Sequence, residues 1–215
     1  MTERRSPTSS IVRPHLRGVA DIFAAAAAVP ATALLVARAR PGAVTLGVFV
    51  YGASLVILLV GSAVYHRPHW SLRTALLLRK IDHANIYLLI AGTVTPLAVM
   101  VGDDGPWLLA TMWLAALLGI LKTFVWPHAP RRISATIYVV MGALPLPAVP
   151  ALRHLAGGSF PLLGLGGALY LMGAVVYALR WPNPSPAVFG YHEIFHLFVF
   201  AAAGSHFLAI WNLAT

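Results

Sequence analysis

The stretch Ala43 to Tyr65, AVTLGVFVYGASLVILLVGSAVY, contains no charged residue. A helix needs about 20 apolar residues to cross the hydrocarbon core of a bilayer, so this stretch reads as a complete transmembrane helix. Comparable runs occupy residues 19–37, 83–101, 106–126, 133–151, 161–180 and 190–211. The expected fold is all-α, a bundle of seven transmembrane helices. The breaks between runs are rich in Pro, Gly and charge: RARPG at 38–42, a longer basic loop at 66–80, GDDGP at 102–106, PHAPRR at 127–132, residues 153–161, and WPNPSP at 181–186. Pro145, Pro147 and Pro150 predict that the fifth run is kinked or ends early.

The whole chain agrees with that stretch. Of its 215 residues, 59% are hydrophobic and 10% are charged, with a mean hydropathy of +0.80. A soluble domain carries roughly 25% charged residues, and a chain this poor in charge cannot cover a water-facing surface. The seven runs leave no room for a second folded unit, so residues 1–18 read as a tail and 19–215 as one membrane domain. The first residues, MTERRSPTSSIVRPHLRG, contain no short apolar core ending in a cleavage site and read as a cytosolic tail. The chain has no cysteine, which excludes disulfides and thiolate metal sites. A net charge of +9 raises nucleic acid as a partner. The basic residues instead lie between apolar runs, where they set orientation, so membrane lipids are the expected partners and nucleic acid is not.

Lys and Arg also give the bundle a direction. Arg4, Arg5, Arg13, Arg17, Arg67, Arg73, Arg79, Lys80, Lys122, Arg131, Arg132 and Arg180 fall on one side, against Arg38, Arg40 and Arg153 on the other. Twelve against three places the N-terminus in the cytoplasm of a multi-pass plasma-membrane protein. Seven crossings then put the C-terminus outside.

Ionisable groups within the membrane are costly and mark function by default. They cluster in three places: Gly61-Ser-Ala-Val-Tyr-His66 ending the second run, Lys80-Ile-Asp-His-Ala-Asn85 beginning the third, and Gly190-Tyr-His-Glu-Ile-Phe-His196 beginning the seventh. The alternating direction of the helices brings Ser62, His66, Asp82, His83, His192 and His196 to one depth near the cytoplasmic face. His192 and His196 are spaced i, i+4 on one helix face, as are Ser62 and His66. Three imidazoles with an open fourth position form the usual layout of a catalytic Zn2+. Asp82 would then orient a water on such an ion or act as its base. The plainer reading is a set of polar groups hydrogen-bonded between helices. His83 reads as a neighbour of Asp82, because adjacent helical residues point about 100° apart. His206 stands about 15 Å along the helix from His196, too far for the same ion, and reads as a packed or hydrogen-bonded side chain. His15, His69, His128 and His154 read as solvated residues of tail and loops. Asp21 has two readings, the same cavity or the cytoplasmic interface. His192-Glu-Ile-Phe-His196 also spells the H-E-x-x-H signature of zinc proteases, in which Glu193 would be the general base.

At these residues the chain resembles the hemolysin III family, the bacterial branch of the adiponectin and progestin receptor family. The resemblance covers almost the whole chain. It is carried by Arg13-Pro-His-Leu-Arg-Gly18, Gly61 to His66, Asp82 through Ala91-Gly-Thr-Val-Thr-Pro96, Trp126-Pro127, and Phe189 to His196. It implies seven helices with a cytoplasmic N-terminus and a zinc ion held by His66, His192 and His196. It also implies that Ser62 and Asp82 are site residues, with Asp82 near the zinc-bound water. Asp21 departs from the pattern, since bacterial relatives often carry His there.

Two functions from different classes follow. One is a zinc-dependent hydrolase acting on a lipid amide or ester, similar to a ceramidase, with Asp82 and Ser62 as catalytic residues. The other is a non-enzymatic protein of membrane homeostasis, reception or pore formation, with structural zinc. An intramembrane metalloprotease built on the HEIFH motif is a third, minor reading.

Overall fold

A computed structural model describes residues 15–215; Arg4, Arg5 and Arg13 of the expected tail lie outside them. The helices are α1 (Val19–Arg38), α2 (Ala43–His66), α3 (Leu72–Met100), α4 (Gly105–Val125), α5 (Arg131–Ala143), α6 (Val149–Ala156), α7 (Phe160–Leu179) and α8 (Tyr191–Ala214). No strand occurs among the described residues, and one isolated antiparallel bridge joins Ser185 to Phe189.

Six helical stretches among the described residues are long and apolar enough to cross a membrane, with mean hydropathies from 1.4 to 2.4. Hydropathy had predicted seven. The difference lies in Arg131–Leu179, which forms a single near-continuous stretch holding α5, α6 and α7. The expected fifth span at 133–151 is not one helix. The α-helix stops at Ala143, residues Leu146–Ala148 form a 3-10 turn, and α6 starts at Val149. Pro145 and Pro147 have no N–H to donate and obstruct the preceding turn. The 13 residues of α5 reach about 20 Å, short of a hydrocarbon core of about 30 Å.

The third span also starts earlier than expected. Residues 72–80 read as loop because Arg73, Arg79 and Lys80 interrupt the apolar run, yet they are helical. Ser71 caps this end, its Oγ accepting the Thr74 N–H at 3.3 Å. The 29 residues of α3 span about 44 Å, so its first turns protrude past the end of α2 and carry the basic residues there. Asp82 therefore sits three turns into α3, not at its start.

Packing follows membrane rules. Tyr51, Tyr87, Leu108, Met112 and Ile210 are fully buried at the centre. Gly92 of α3 lies so close to Ser54 of α2 that a Cβ would overlap the serine hydroxyl, the close approach small residues permit between membrane helices. Thr32, Thr93, Thr95 and Thr123 bond to carbonyls four residues back, so their hydroxyls do not oppose burial. Phe23, Leu46, Leu117 and Val125 are exposed around the outside, where lipid would meet them. Trp70, Trp126 and Trp181 stand beside helix ends at the rim of the bundle, where aromatic belts meet the interface.

Candidate metal centre and its cavity

The last residue of α2 is His66, which is buried. The first turns of α8 present His192 and His196 on one face. Local bonds hold that helix start in place. Glu193 Oε2 accepts the Gly190 N–H at 2.8 Å, and Asn183 Oδ1 accepts the Tyr191 N–H at 3.1 Å. Glu193 Oε1 pairs with Arg17. The amides of His15 and Leu16 donate to the carbonyls of Ala187 and Val188, which seats the segment before α1 against the loop before α8.

These constraints bring three imidazoles together. His192 Nε2 lies 3.2 Å from His66 Nε2 and 2.9 Å from His196 Nε2. One ligand atom from each of the three histidines lies within 4.8 Å of the others. His196 Nδ1 is 2.7 Å from Asp21 Oδ1. An ionised carboxylate only accepts, so Nδ1 carries the proton and Nε2 presents its lone pair to the cluster. A carboxylate behind an imidazole is the arrangement that orients a metal-ligating histidine. Asp21 is 3% exposed and faces the histidines, so the cavity reading of this residue is the one that stands.

Asp82 Oδ2 stops 3.9 Å from His66 Nε2, beyond direct hydrogen bonding. Ser62, one turn before His66, is 4% exposed; its Oγ is buried beside the carboxylates of Asp21 and Asp82 and makes no hydrogen bond of good geometry among the described residues. Three imidazoles this close together, with Asp21 behind one of them and Asp82 nearby, are a donor set that could hold a divalent metal.

The remaining titratable residues separate clearly. The His83 carbonyl accepts the Tyr138 hydroxyl at 3.3 Å, and the residue lines the cavity without joining the three-histidine group. Glu193 is tied to Gly190 and Arg17, facing away from the part a general base would play. His206 bonds the Leu163 carbonyl. His15, His69, His128 and His154 are exposed, although His154 belongs to α6 and not to a loop. Asp21 is the candidate site residue whose place the sequence left open. Its partner is 175 positions away, and the available sign was an acidic group in the first turn of an apolar helix.

The cluster opens into a cavity of about 570 Å³. Ser62, Asp82, His192 and His196 line one part of it, and Leu163 and His206 another. The rest of the wall is mostly aliphatic and aromatic, including Leu58, Ile86, Val94, Leu171 and Phe200, with the hydroxyl-bearing side chains of Thr93, Tyr138, Tyr170 and Tyr177 among them. The class is thereby defined: a multi-pass helical membrane protein with a buried histidine cluster at the head of an apolar cavity.

The chain belongs to the haemolysin-III family. The family described as Haemolysin-III related matches residues 9–207. Hemolysin-3 of Bacillus cereus is 31% identical over 98% of this chain and 96% of its own length. Monocyte to macrophage differentiation factor of Homo sapiens is 30% identical over 76% of this chain and 68% of its own. The Adiponectin receptor protein of Drosophila melanogaster is 30% identical over 80% of this chain and 43% of its own.

Proposed function

We propose that this protein is a seven-pass hydrolase of the plasma membrane that cleaves a lipid amide or ester at a zinc site near the cytoplasmic face. The observation that carries the reading is the grouping of His66, His192 and His196 beside Asp82 and the buried Ser62 hydroxyl, at the head of a mostly apolar cavity. His66, His192 and His196 would hold Zn2+, which when bound supplies a Lewis acid and lowers the pKa of water. The chain's own residues do the rest. Asp21 holds His196 in one tautomer and one ring orientation. Asp82 takes a proton at Oδ2 from the attacking water and returns it to the leaving amine or alcohol. Ser62 Oγ donates to, or accepts from, the reacting oxygen. The apolar walls seat an acyl chain and exclude bulk water from the carbonyl.

The seven crossings rest on two supports. α5 packs against α7, which favours a stretch Arg131–Leu179 that crosses along α5 and α6 and returns along α7, two crossings in place of one. The distribution of Lys and Arg favours an odd number, with the N-terminus inside. Because the chain has no native cysteine, Ser6→Cys and Thr215→Cys can be labelled singly in intact cells. Labelling of both from the same side would reject the topology.

The hydrolase reading is tested with purified protein on a panel of ceramides and lipid esters, with zinc content measured in parallel. Cleavage that a chelator abolishes and zinc restores is the expected result; zinc-independent cleavage, or none, counts against it. A second reading has its own support: His66 and the α8 pair join distant helices, as a structural clamp would. It predicts that Asp82→Asn leaves cellular function intact. The protease reading is disfavoured because Glu193 is committed to Gly190 and Arg17.

A further inference from the structure

The end of the cavity nearest the histidine cluster is also lined by His83, Tyr138 and Tyr177, and three cations stand around these side chains. Arg79 lies one turn before His83 on the same face of α3. On α5, Arg131, Ser134 and Tyr138 share one face, and the Tyr138 hydroxyl donates to the His83 carbonyl at 3.3 Å. Lys122 of α4 reaches that face too, its Nζ donating to Ser134 Oγ at 2.8 Å. Arg79, Lys122 and Arg131 are all close enough to act electrostatically on His83. Arg131 is the most firmly placed. Its Nη1 donates to the Tyr191 hydroxyl at 2.6 Å, which uses one of its five N–H groups. Its Cζ is 5.8 Å from the ring centroids of both Tyr177 and Tyr191. Those rings lie 6.4 and 6.3 Å from the ring of His192, so a single aromatic ring separates the guanidinium from the cluster.

These three cations have no acidic counterpart. Among the described residues none of them joins an ion pair; Asp21, Asp82 and Glu193 face His196, His66 and Arg17. Asp103 and Asp104 stand at the opposite end of α3 and α4. A cation that only orients a membrane helix can stay in water, as the exposed Arg73 and Arg132 do. Arg79, Lys122 and Arg131 are instead half-buried, where mutual repulsion is less screened. An anion between them would relieve it.

We infer that Arg79, Lys122 and Arg131 form an anion-binding rim beside the cavity, and that the lipid the cavity takes carries a phosphate ester as its headgroup. This rests on the proposal that the cavity seats an acyl chain. A phosphate monoester offers up to two negative charges and several acceptor oxygens, which match an arginine fork and an ammonium group. It also stands only a few bonds from the amide or ester carbonyl of its lipid. A phosphate at the rim therefore leaves the carbonyl within reach of the histidines and the chains in the apolar chamber.

The test is displacement of a fluorescent diacylglycerol from full-length protein in uncharged maltoside micelles. The competitors are a diacylglycerol and the phosphatidic acid with the same acyl chains. The phosphatidic acid is expected to bind roughly tenfold more tightly. Arg131→Gln should abolish that advantage, Arg131→Lys should keep part of it, and Arg79→Gln and Lys122→Gln should each remove part. Arg132→Gln, one position along α5 and exposed, should leave it intact. The comparison of the two lipids on the unaltered protein stands even if a variant fails to fold. Equal displacement by both lipids, or an advantage lost as fully in Arg132→Gln as in Arg131→Gln, overturns the rim and leaves the lipid cavity standing. Inorganic phosphate at the same concentration should change nothing; if it cancels the advantage, the rim holds the free anion and the headgroup assignment falls. Failure of both lipids to displace the probe overturns rim and lipid cavity together.

Discussion

Helix α8 carries histidines in two opposite environments. At its start, His192 and His196 meet His66, Asp21 and Asp82, and every ring nitrogen turned inward faces another ionisable group. Further along, His206 bonds one carbonyl through Nε2, while its Nδ1 is buried without a hydrogen bond among the described residues. The residue type and the helix are the same. What differs is the neighbours: α1, α2 and α3 supply ionisable groups to one end, while α7 supplies backbone and glycine to the other. The clustered histidines could hold a cation, whereas the solitary one ties α8 to the backbone of α7.

The comparison can be broken by experiment, beginning at the cluster. His192→Ala removes one of three imidazoles, and purified protein should lose its zinc and all zinc-dependent cleavage; retained stoichiometric zinc would separate this residue from the metal. Asp82→Asn should keep the zinc and lower turnover by about 10²- to 10⁴-fold, read from kcat alongside metal content. Unchanged turnover would move Asp82 out of the chemistry and favour the structural reading. Asp21→Asn can donate where the carboxylate accepted, so the support behind His196 fails; zinc affinity is expected to fall about 10- to 100-fold in competition with a chelator. The smallest effect belongs to Glu193→Gln. This change keeps an acceptor for Gly190 but loses the charge facing Arg17, and should lower stability by roughly 1.5 kcal/mol in a melting assay while cleavage persists. Abolished cleavage in a folded Glu193→Gln protein would revive the protease motif.

Much of this arrangement was legible in the residues. The convergence of His66, His192, His196, Asp82 and Ser62 followed from spacing and from the alternating direction of the helices. The errors have local causes. Residues 72–80 looked like loop because charge was read as exit from the membrane, whereas Ser71 starts a helix that simply extends beyond it. The fifth run had enough apolar residues for a span, but Pro145 and Pro147 divide it into pieces that are short individually.

By itself the sequence determined that this chain lives in lipid, since a surface with so little charge has no other stable solvent. It also determined which residue types would meet near one face, because helical periodicity and crossing direction are local properties. Only the tertiary structure decided that Asp21 stands behind His196, that Ser62 lies buried beside Asp21 and Asp82, and that His206 shares a cavity with the cluster. Those facts depend on the rotation and depth of helices distant in sequence, which side-chain packing sets and no local pattern encodes.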